Sequence, residues 1–330
     1  IGIGRLILAR HPALRSLALV TCIGMFTVVA MAYYLPPLVF RWLTTKHGRR
    51  RPVPVTLKRI ACSVAAMSFF LAVIYLFMKP FTWFYFRLGK TTERKRLRYH
   101  RIIQRMAQFS IRHVPGVSFA YDNVAGETFE RPAVVVCNHQ SHLDLMCLLM
   151  LSPRMVFLTN DWVWHNPFYG SIIRRAEFYP VSDGIEHNLP LLRDLYRRGY
   201  SICVFPEGTR SADCRILRFH KGAFYLAREL GADLLPVFIH GPGHVLPKED
   251  FMLREGSVYV EVCRRVAYDA EPDDRSMTKR MHRYYQEHYA QLCERLETEE
   301  YKKTLMKYEG YYKEESLDVL PEESAGLSAK

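Results

Sequence analysis

Three patterns are missing from this 330-residue sequence, and each absence excludes a class of protein. Its eight cysteines form no Cys-x2-Cys pair, which excludes common zinc-binding modules and indicates reduced, buried thiols in the cytoplasm. No Gly-x-Ser-x-Gly occurs, which argues against a serine hydrolase with a nucleophile elbow. No internal repeat is present, so a solenoid is not expected.

Charge is missing from two segments, residues 16–40 and 60–78. At 1.5 Å per helical residue, each is long enough to cross, or nearly cross, a hydrocarbon core of about 30 Å. The rest of the chain is basic, with a formal net charge of +13. Since a nucleic-acid-binding protein needs no such apolar segments, the charge indicates an anionic membrane surface instead. A secretory signal within residues 5–40 is the alternative, but that apolar stretch is too long for one.

Basic residues follow both apolar segments, which places both flanks on the cytoplasmic side of the inner membrane. A simple two-pass hairpin does not satisfy both flanks, so residues 60–86 are expected to enter and leave from the cytoplasmic face. In that arrangement Lys79-Pro80 breaks the helix, and the aromatic run 81–86 lies at the interface. The basic flanks are Arg41, Lys46, Arg49, Arg50, Arg51, Lys58 and Arg59, then Arg87, Lys90, Arg94, Lys95, Arg96, Arg98, Arg101 and Arg105.

Short apolar strands alternate with helical patterns over residues 117–265, which predicts an α/β fold with a mostly parallel sheet flanked by helices. The predicted strands are 117–121, 133–137, 154–159, 177–181, 200–205, 234–239 and 257–263, and the predicted helices are 142–151, 166–175, 186–198 and 220–230. The predicted organisation is a transmembrane helix (1–43), a basic linker (44–59), a two-helix membrane-association motif (60–110), a catalytic domain (111–270), a helical packing appendage (271–315) and a disordered tail (316–330).

His139 and Asp144 lie between a strand-like run and an apolar helical run. Residues five apart do not share a helix face, so the two side chains meet only if His139 lies in the turn and Asp144 in the first helical turn. Ser141-x-x-Asp144 fits a capping box and predicts a helix start near Ser141. His142 is interpreted as a neighbour, because its spacing to Asp144 is too short.

An imidazole near neutral pH removes a proton from a hydroxyl, and a carboxylate on its other nitrogen fixes the tautomer. His139 and Asp144 therefore form a candidate general-base pair. The alternative is that Asp144 only caps the helix and His139 only fills the turn.

A second string, Phe205-Pro206-Glu207-Gly208-Thr209-Arg210, follows another strand-like run. Gly208 permits an unusual backbone turn, and Arg210 suits bidentate recognition of phosphate or carboxylate. Lys221 follows at the start of a helical pattern and offers a second positive charge. The alternative is an ordinary Pro-Gly turn with a solvated arginine.

Together these two strings resemble the glycerolipid acyltransferase family, best known for 1-acyl-glycerol-3-phosphate acyltransferases. His-x4-Asp matches His139 to Asp144, and the Phe-Pro-Glu-Gly-Thr-Arg block follows 61 residues after Asp144. A third block resembles residues 234–237, and the similarity covers roughly residues 60–265.

This resemblance implies that His139 is the general base, Asp144 its partner, and the acyl thioester the direct target of the acceptor hydroxyl. It implies acceptor binding by Glu207, Gly208, Thr209 and Arg210, with Lys221 as a weaker candidate. No cofactor or metal is implied beyond acyl-CoA or acyl-carrier protein as co-substrate. The expected partners are a lysophospholipid and membrane lipids, and not nucleic acid.

The chain departs from the family pattern between the two blocks. Asn160 stands where a lysine is expected, and Val181-Ser182-Asp183 where a hydrophobic-Asp-Arg string is expected; Arg174 and Arg175 either compensate or face solvent. The departure leaves open a different lipid or polyene-type acceptor. Residues 11–43 also weakly resemble the last membrane helix of a resistance-nodulation-division exporter, which favours a fused fragment coupled to export. A thioesterase and a catalytically idle membrane scaffold are the remaining alternatives, and the intact His139 and Asp144 argue against the scaffold.

Overall fold

A computed structural model describes residues 12–46, 49–50, 55–181, 184–248, 250 and 252–297. The chain divides into two compact units, residues 1–57 and 58–330. The predicted disordered tail (316–330), the end of the predicted appendage (298–315) and positions 182–183 lie outside the described residues.

The first unit contains one long helix, α1 (Pro12–Thr44), followed by a two-stranded antiparallel ribbon of β1 (Thr45–Lys46) and β2 (Arg49–Arg50). Among its described side chains only Ala18 is buried within the helix. The mean hydropathy of its apolar window is 2.0, and its 33 residues make it long and apolar enough to cross a membrane. The apolar segment predicted from residues 16–40 is therefore helical.

A second apolar helical segment runs without interruption from Leu57 to Arg87, with a mean hydropathy of 2.3. It consists of α2 (Leu57–Ala72), a π-helical turn (Val73–Met78) and α3 (Lys79–Arg87). The predicted helix break at Lys79-Pro80 is wrong. Pro80 lies in the first turn of α3, where a missing N–H is tolerated, and the Lys79 N–H donates to the Ile74 carbonyl five residues back.

Seven strands of the second unit, within the described residues, form one sheet in the order β3-β9-β8-β4-β7-β5-β6. All neighbours are parallel except β8 and β9, so the predicted mostly parallel α/β sheet is confirmed. The strands are β3 (Val117–Asn123), β4 (Val134–Cys137), β5 (Met155–Thr159), β6 (Tyr179–Pro180), β7 (Ser201–Val204), β8 (Leu234–His240) and β9 (Gly256–Val262).

Eight further helices belong to the second unit within the described residues, and each longer helix buries part of its surface. They are α4 (Glu93–Arg112), α5 (Leu143–Leu149), α6 (Asp161–Trp164), α7 (Gly170–Arg175), α8 (Ile185–Arg197), α9 (Gly222–Leu230), α10 (Pro242–Val245) and α11 (Asp274–Leu296). The predicted helix 166–175 is shorter than expected, because Asn166–Tyr169 form a turn before α7.

Helix α11 supports the centre of the sheet. Its buried residues Met277, Met281, Tyr285, Tyr289 and Leu292 repeat every three or four positions, which defines one packed face. The Tyr285 hydroxyl is fully buried and donates to the Val136 carbonyl at 2.6 Å. The helix predicted to be a packing element therefore contacts β4, three residues before His139.

Strands β4 and β7 are adjacent, parallel and buried along their whole length. Their apolar, β-branched residues explain this position, because both faces of a central parallel strand are covered. The carboxyl ends of parallel neighbours lie at one edge of a sheet, where open α/β folds bind their ligands. The two sequence strings that follow β4 and β7 therefore converge at one site.

Candidate active site

His139 occupies the turn after β4, and Asp144 lies in the first turn of α5. The Nδ1 atom of His139 and the Oδ2 atom of Asp144 are 2.8 Å apart. The Asp144 side chain is fully buried, whereas 21% of the His139 side chain is exposed. The predicted meeting of two residues five apart is therefore observed.

Asp144 also organises the turn itself. Its Oδ2 atom accepts the backbone N–H of Gln140 at 2.6 Å and that of Ser141 at 2.8 Å. The Ser141 hydroxyl donates to the Leu246 carbonyl at 2.7 Å, and its oxygen accepts the Leu143 N–H at 3.3 Å instead of the Asp144 N–H, so only the Asp144 half of the predicted capping box forms. Helix α5 consequently begins at Leu143, later than the predicted start near Ser141.

The aromatic ring of Phe205 stacks on the imidazole of His139. Their ring centroids are 4.1 Å apart and their planes differ by 17°. Phe205 is the first residue after β7, and β7 pairs with β4. The sequence analysis included Phe205 in the second string but gave it no role. Its contact with His139 could have been predicted, because Phe205 and His139 lie one and two positions beyond the ends of adjacent parallel strands.

Glu207 holds the backbone of the same turn from the other side. Its Oε1 atom accepts the His139 N–H and its Oε2 atom accepts the Leu217 N–H, both at 3.0 Å. The Ser211 N–H in turn donates to the His139 carbonyl at 2.7 Å. Burial raises the pKa of Glu207 from 4.5 to about 8, and the two backbone donors act in the opposite direction. Its contacts indicate a positioning role, whereas its acceptor-binding role stays a prediction.

Gly208, Thr209 and Arg210 form the turn that follows Glu207. Gly208 has a φ of +68°, a left-handed conformation that favours glycine, and both Gly208 and Thr209 are exposed. The pKa of His142 is lowered to about 4, chiefly by desolvation and next by the positive charge of Arg210. The charge of Arg210 therefore acts on His142, three residues after His139.

Lys221 is exposed and forms the amino-terminal cap position of α9. Its carbonyl accepts the N–H groups of Phe224 and Tyr225. None of the contacts measured among the described residues joins its ammonium to Thr209 or Arg210. The structure thus gives no separate support to its predicted acceptor-binding role.

The positions that depart from the family pattern have other structural partners. The side chain of Asn160 caps α6 by accepting the Val163 N–H at 2.9 Å. Arg174 donates to the Trp164 carbonyl at 2.5 Å and lies over the Trp164 ring. Arg175 lies 5.3 Å from the centroid of the Phe86 ring. These contacts are with α6 and α3, so neither arginine is seen to replace the expected cations.

Clusters with metal-ligand chemistry lie outside this site. Among the described residues, they are His240 with Cys293 and Glu297, and Glu261 with Cys263 and His288. In each cluster the histidine already contacts the glutamate, at 3.0 Å and 2.5 Å respectively. Neither cluster includes His139, so the general-base geometry is built without them.

Comparisons with known proteins show similarity to acyltransferases. Residues 119–240 match the family model described as Acyltransferase. Over 216 residues the chain is 30% identical to the chloroplastic 1-acyl-sn-glycerol-3-phosphate acyltransferase LPAT1 of Arabidopsis thaliana, covering 62% of this chain and 57% of that protein. The human 1-acyl-sn-glycerol-3-phosphate acyltransferase beta is 27% identical over 142 residues, which cover 41% and 50% of the two chains. The chain spans about half the length of these curated relatives.

The crystal structure of the 1-acyl-sn-glycerophosphate (LPA) acyltransferase PlsC from Thermotoga maritima superposes with a TM-score of 0.59. It is 22% identical and covers 70% of this chain and 97% of its own, so this likeness shows the fold. The family resemblance predicted from the two sequence blocks is confirmed: residues 119–240 match the Acyltransferase family model, and the curated relatives are named as 1-acyl-sn-glycerol-3-phosphate acyltransferases.

Proposed function

We propose that this chain is a membrane-bound O-acyltransferase of phospholipid biosynthesis. It moves an acyl chain from acyl-CoA or acyl-carrier protein to the hydroxyl of a lysophospholipid, with 1-acyl-glycerol-3-phosphate as acceptor and phosphatidic acid as product. The observation that carries the proposal is the His139–Asp144 contact of 2.8 Å beside the Phe205–Arg210 turn. The curated relatives, which are named as 1-acyl-sn-glycerol-3-phosphate acyltransferases, support the acceptor.

The proposed reaction is a direct attack on the thioester. The acceptor hydroxyl oxygen bonds to the thioester carbonyl carbon while His139 Nε2 takes the hydroxyl proton. Asp144, on Nδ1, stabilises the imidazolium that forms. The carbon–sulfur bond then breaks, and the thiol leaves with the proton from His139. Because the acceptor oxygen attacks the thioester directly, no acyl-enzyme intermediate forms, and each residue returns to its starting protonation state.

Arg210 is proposed to hold the acceptor phosphate with Thr209. Hydrogen bonds to charged groups contribute about 1.5–3 kcal/mol, so Arg210→Ala is expected to raise the acceptor KM by about 10- to 100-fold. The KM for the acyl thioester is expected to change little. Steady-state kinetics with each substrate varied in turn makes the measurement.

Arg218→Ala is the matched control for this variant, because Arg218 is an exposed arginine eight residues further along. It is expected to leave both KM values near wild type. An unchanged acceptor KM in Arg210→Ala would remove Arg210 from the phosphate site.

Glu207→Gln tests the hydrogen bonds through which Glu207 holds the backbone N–H groups of His139 and Leu217. Above the raised pKa of Glu207 the carboxylate accepts both backbone N–H groups, whereas the amide can accept only one of them well. In that pH range kcat is expected to fall while the acceptor KM stays near wild type. A pure acceptor-binding role would raise the KM instead. The ratio of these two effects therefore separates the predicted binding role from positioning.

The same variant has an expected pH signature. Because the folded pKa of Glu207 is raised from 4.5 to about 8, the native state binds more protons than the unfolded state between these values. Glu207 therefore makes the free energy of unfolding fall as pH rises through this window, by up to ~1.4 kcal/mol per pH unit. Thermal denaturation of Glu207→Gln between pH 5 and 8 is expected to lack this decline. An identical pH slope in both proteins would contradict the raised pKa.

A second acceptor class is favoured by one specific observation. Asn160 caps α6 where the family pattern has a lysine, so one expected phosphate ligand is replaced by a structural residue. Membranes containing the protein, incubated with labelled acyl-CoA or acyl-carrier protein and a panel of lysolipids, would decide between acceptors. Phosphatidic acid as the main product supports the first proposal, and another acylated lipid supports the second.

The inner membrane, with the catalytic domain on the cytoplasmic face, is the proposed location. The two long apolar helices support membrane association, and the basic segments that follow each of them support the cytoplasmic face. Because both basic segments are placed on that face, the helix Leu57–Arg87 is proposed to lie along the cytoplasmic interface and not to cross the membrane. Cysteines introduced into residues 44–58 should resist impermeant thiol reagents added outside sealed, right-side-out vesicles. Labelling from outside would contradict this orientation.

A further inference from the structure

The turn formed by Gly208, Thr209 and Arg210 is the proposed acceptor site. It lacks the cations that the family pattern places nearby. A phosphate monoester carries roughly −1.5 to −2 charges at pH 7 and offers three strong acceptor oxygens. Arg210 supplies one positive charge, while Asn160, Arg174 and Arg175 are committed to α6 and α3. A phosphate-bearing acceptor at this turn would therefore be better balanced by another cation.

Lys248 lies at this turn although it is 39 residues away in sequence. Its Nζ atom donates to the Oγ1 atom of Thr209 at 3.3 Å. Thr209 is exposed and Lys248 half-buried, so the two groups border open solvent. The sequence pattern did not single out Lys248, because it lies in neither of the two strings and follows the third block by eleven residues.

The loop that carries Lys248 is held in place on both sides. Before it, the Leu246 carbonyl accepts the Ser141 hydroxyl from the turn of the His-x4-Asp string. After it, the Asp250 carboxylate pairs at 3.0 Å with Arg254, and both side chains are largely buried. The Arg254 N–H closes the loop onto the Val245 carbonyl at 2.8 Å. Lys248 is thus presented by a loop tied to the same turn that carries His139.

We propose that Lys248 is the second cation of the acceptor site and binds the phosphate monoester of the lysophospholipid together with Thr209 and Arg210. This inference rests on the proposed acyl transfer to a phosphate-bearing lysolipid. The ammonium is a compact point charge, which suits a phosphate held loosely at an exposed turn. When the phosphate binds, its oxygens replace Thr209 Oγ1 as acceptors for Lys248, and the Thr209 hydroxyl is released to donate to the phosphate.

The position of this charge has a consequence for specificity. A phosphate monoester carries about one more negative charge than a phosphodiester at neutral pH, and an acceptor without phosphate carries none. An additional cation therefore favours 1-acyl-glycerol-3-phosphate over 1-acyl-glycerophosphoglycerol, and favours both over monoacylglycerol. Lys248 is thus a specificity-determining residue as well as a binding residue.

Kinetics of Lys248→Gln in the full-length, membrane-extracted protein test the proposal. The KM for 1-acyl-glycerol-3-phosphate is expected to rise about 10-fold, with kcat and the thioester KM near wild type. The preference for the monoester over the phosphodiester acceptor is expected to fall by a similar factor. Lys248→Arg is expected to restore most of both values, and Lys279→Gln, at an exposed lysine on α11, to match wild type.

Binding measured without turnover separates this inference from the proposed function. In a His139→Ala background, titration calorimetry with 1-acyl-glycerol-3-phosphate should show about 10-fold weaker binding when Lys248→Gln is added. Equal binding and equal acceptor KM with and without Lys248 would overturn the inference while acyl transfer stands. If the wild-type protein neither binds nor acylates this lysolipid, the proposed function and the inference both fail.

Discussion

His139→Ala is expected to reduce kcat for acyl transfer by about 10²- to 10⁴-fold, the usual contribution of a positioned general base. The physical reason is that Nε2 is the proton acceptor, and its tautomer and orientation are set by Asp144 at 2.8 Å and by the stacked ring of Phe205. Because the His139 side chain is partly exposed and its turn is held through backbone groups, the fold is expected to remain intact.

The measurement compares turnover with labelled acyl thioester and thermal denaturation of the same preparations. A matched control is His142→Ala, which removes the neighbouring imidazole and is expected to retain most of the turnover. Near-normal turnover by His139→Ala would rule out His139 as the base, whereas loss of folding would show a structural role.

Asp144→Asn is expected to cause a loss of activity comparable to that of His139→Ala, together with a loss of stability. The amide cannot stabilise an imidazolium as a carboxylate does, and it can reverse the tautomer of His139. In addition, the buried Oδ2 atom accepts from Gln140 N, Ser141 N and His139 Nδ1. Each buried donor that is left unsatisfied costs about 1–3 kcal/mol.

Asp144→Asn therefore separates two interpretations of the Asp144 carboxylate, one as the partner of the general base and one as a helix cap only. Kinetics and denaturant unfolding of Asp144→Asn and His139→Ala, measured side by side, should show activity loss in both and destabilisation chiefly in Asp144→Asn. Full turnover with reduced stability would make Asp144 a helix-capping residue only.

The strands and the meeting of the two strings were predictable because they depend on local patterns. The β-branched runs before His139 and Phe205 indicate buried parallel strands, and adjacent parallel strands end at one edge of the sheet. The five-residue spacing of His139 and Asp144 required a turn followed by a helix, and this is the observed geometry.

Features that depend on partners distant in sequence were not predictable in the same way. The capping box appeared complete locally, but the Ser141 hydroxyl donates to the Leu246 carbonyl, 105 residues away, and its oxygen accepts the Leu143 N–H instead of the Asp144 N–H. The Glu207 side chain appeared available for an acceptor, but it is buried against the N–H groups of His139 and Leu217. A local pattern states which groups are able to bond and does not state which partners the tertiary fold brings to them.

The helix break predicted at Pro80 failed for a different reason. The rule that proline ends a helix assumes regular α-helical hydrogen bonding before it. Here the turn Val73–Met78 is π-helical, which changes the bonding pattern just before α3 and places Pro80 in a first turn. A π turn has no established sequence signature, so the periodicity of the apolar residues did not reveal it.

The most direct test of the central claim follows the fate of the acyl group. Wild-type and His139→Ala proteins in membranes would be incubated with acyl-labelled thioester and 1-acyl-glycerol-3-phosphate, and the labelled products separated. Transfer by a His139–Asp144 base predicts labelled phosphatidic acid from the wild type and almost none from His139→Ala. Labelled free fatty acid as the main product, or equal phosphatidic acid from both proteins, would contradict it.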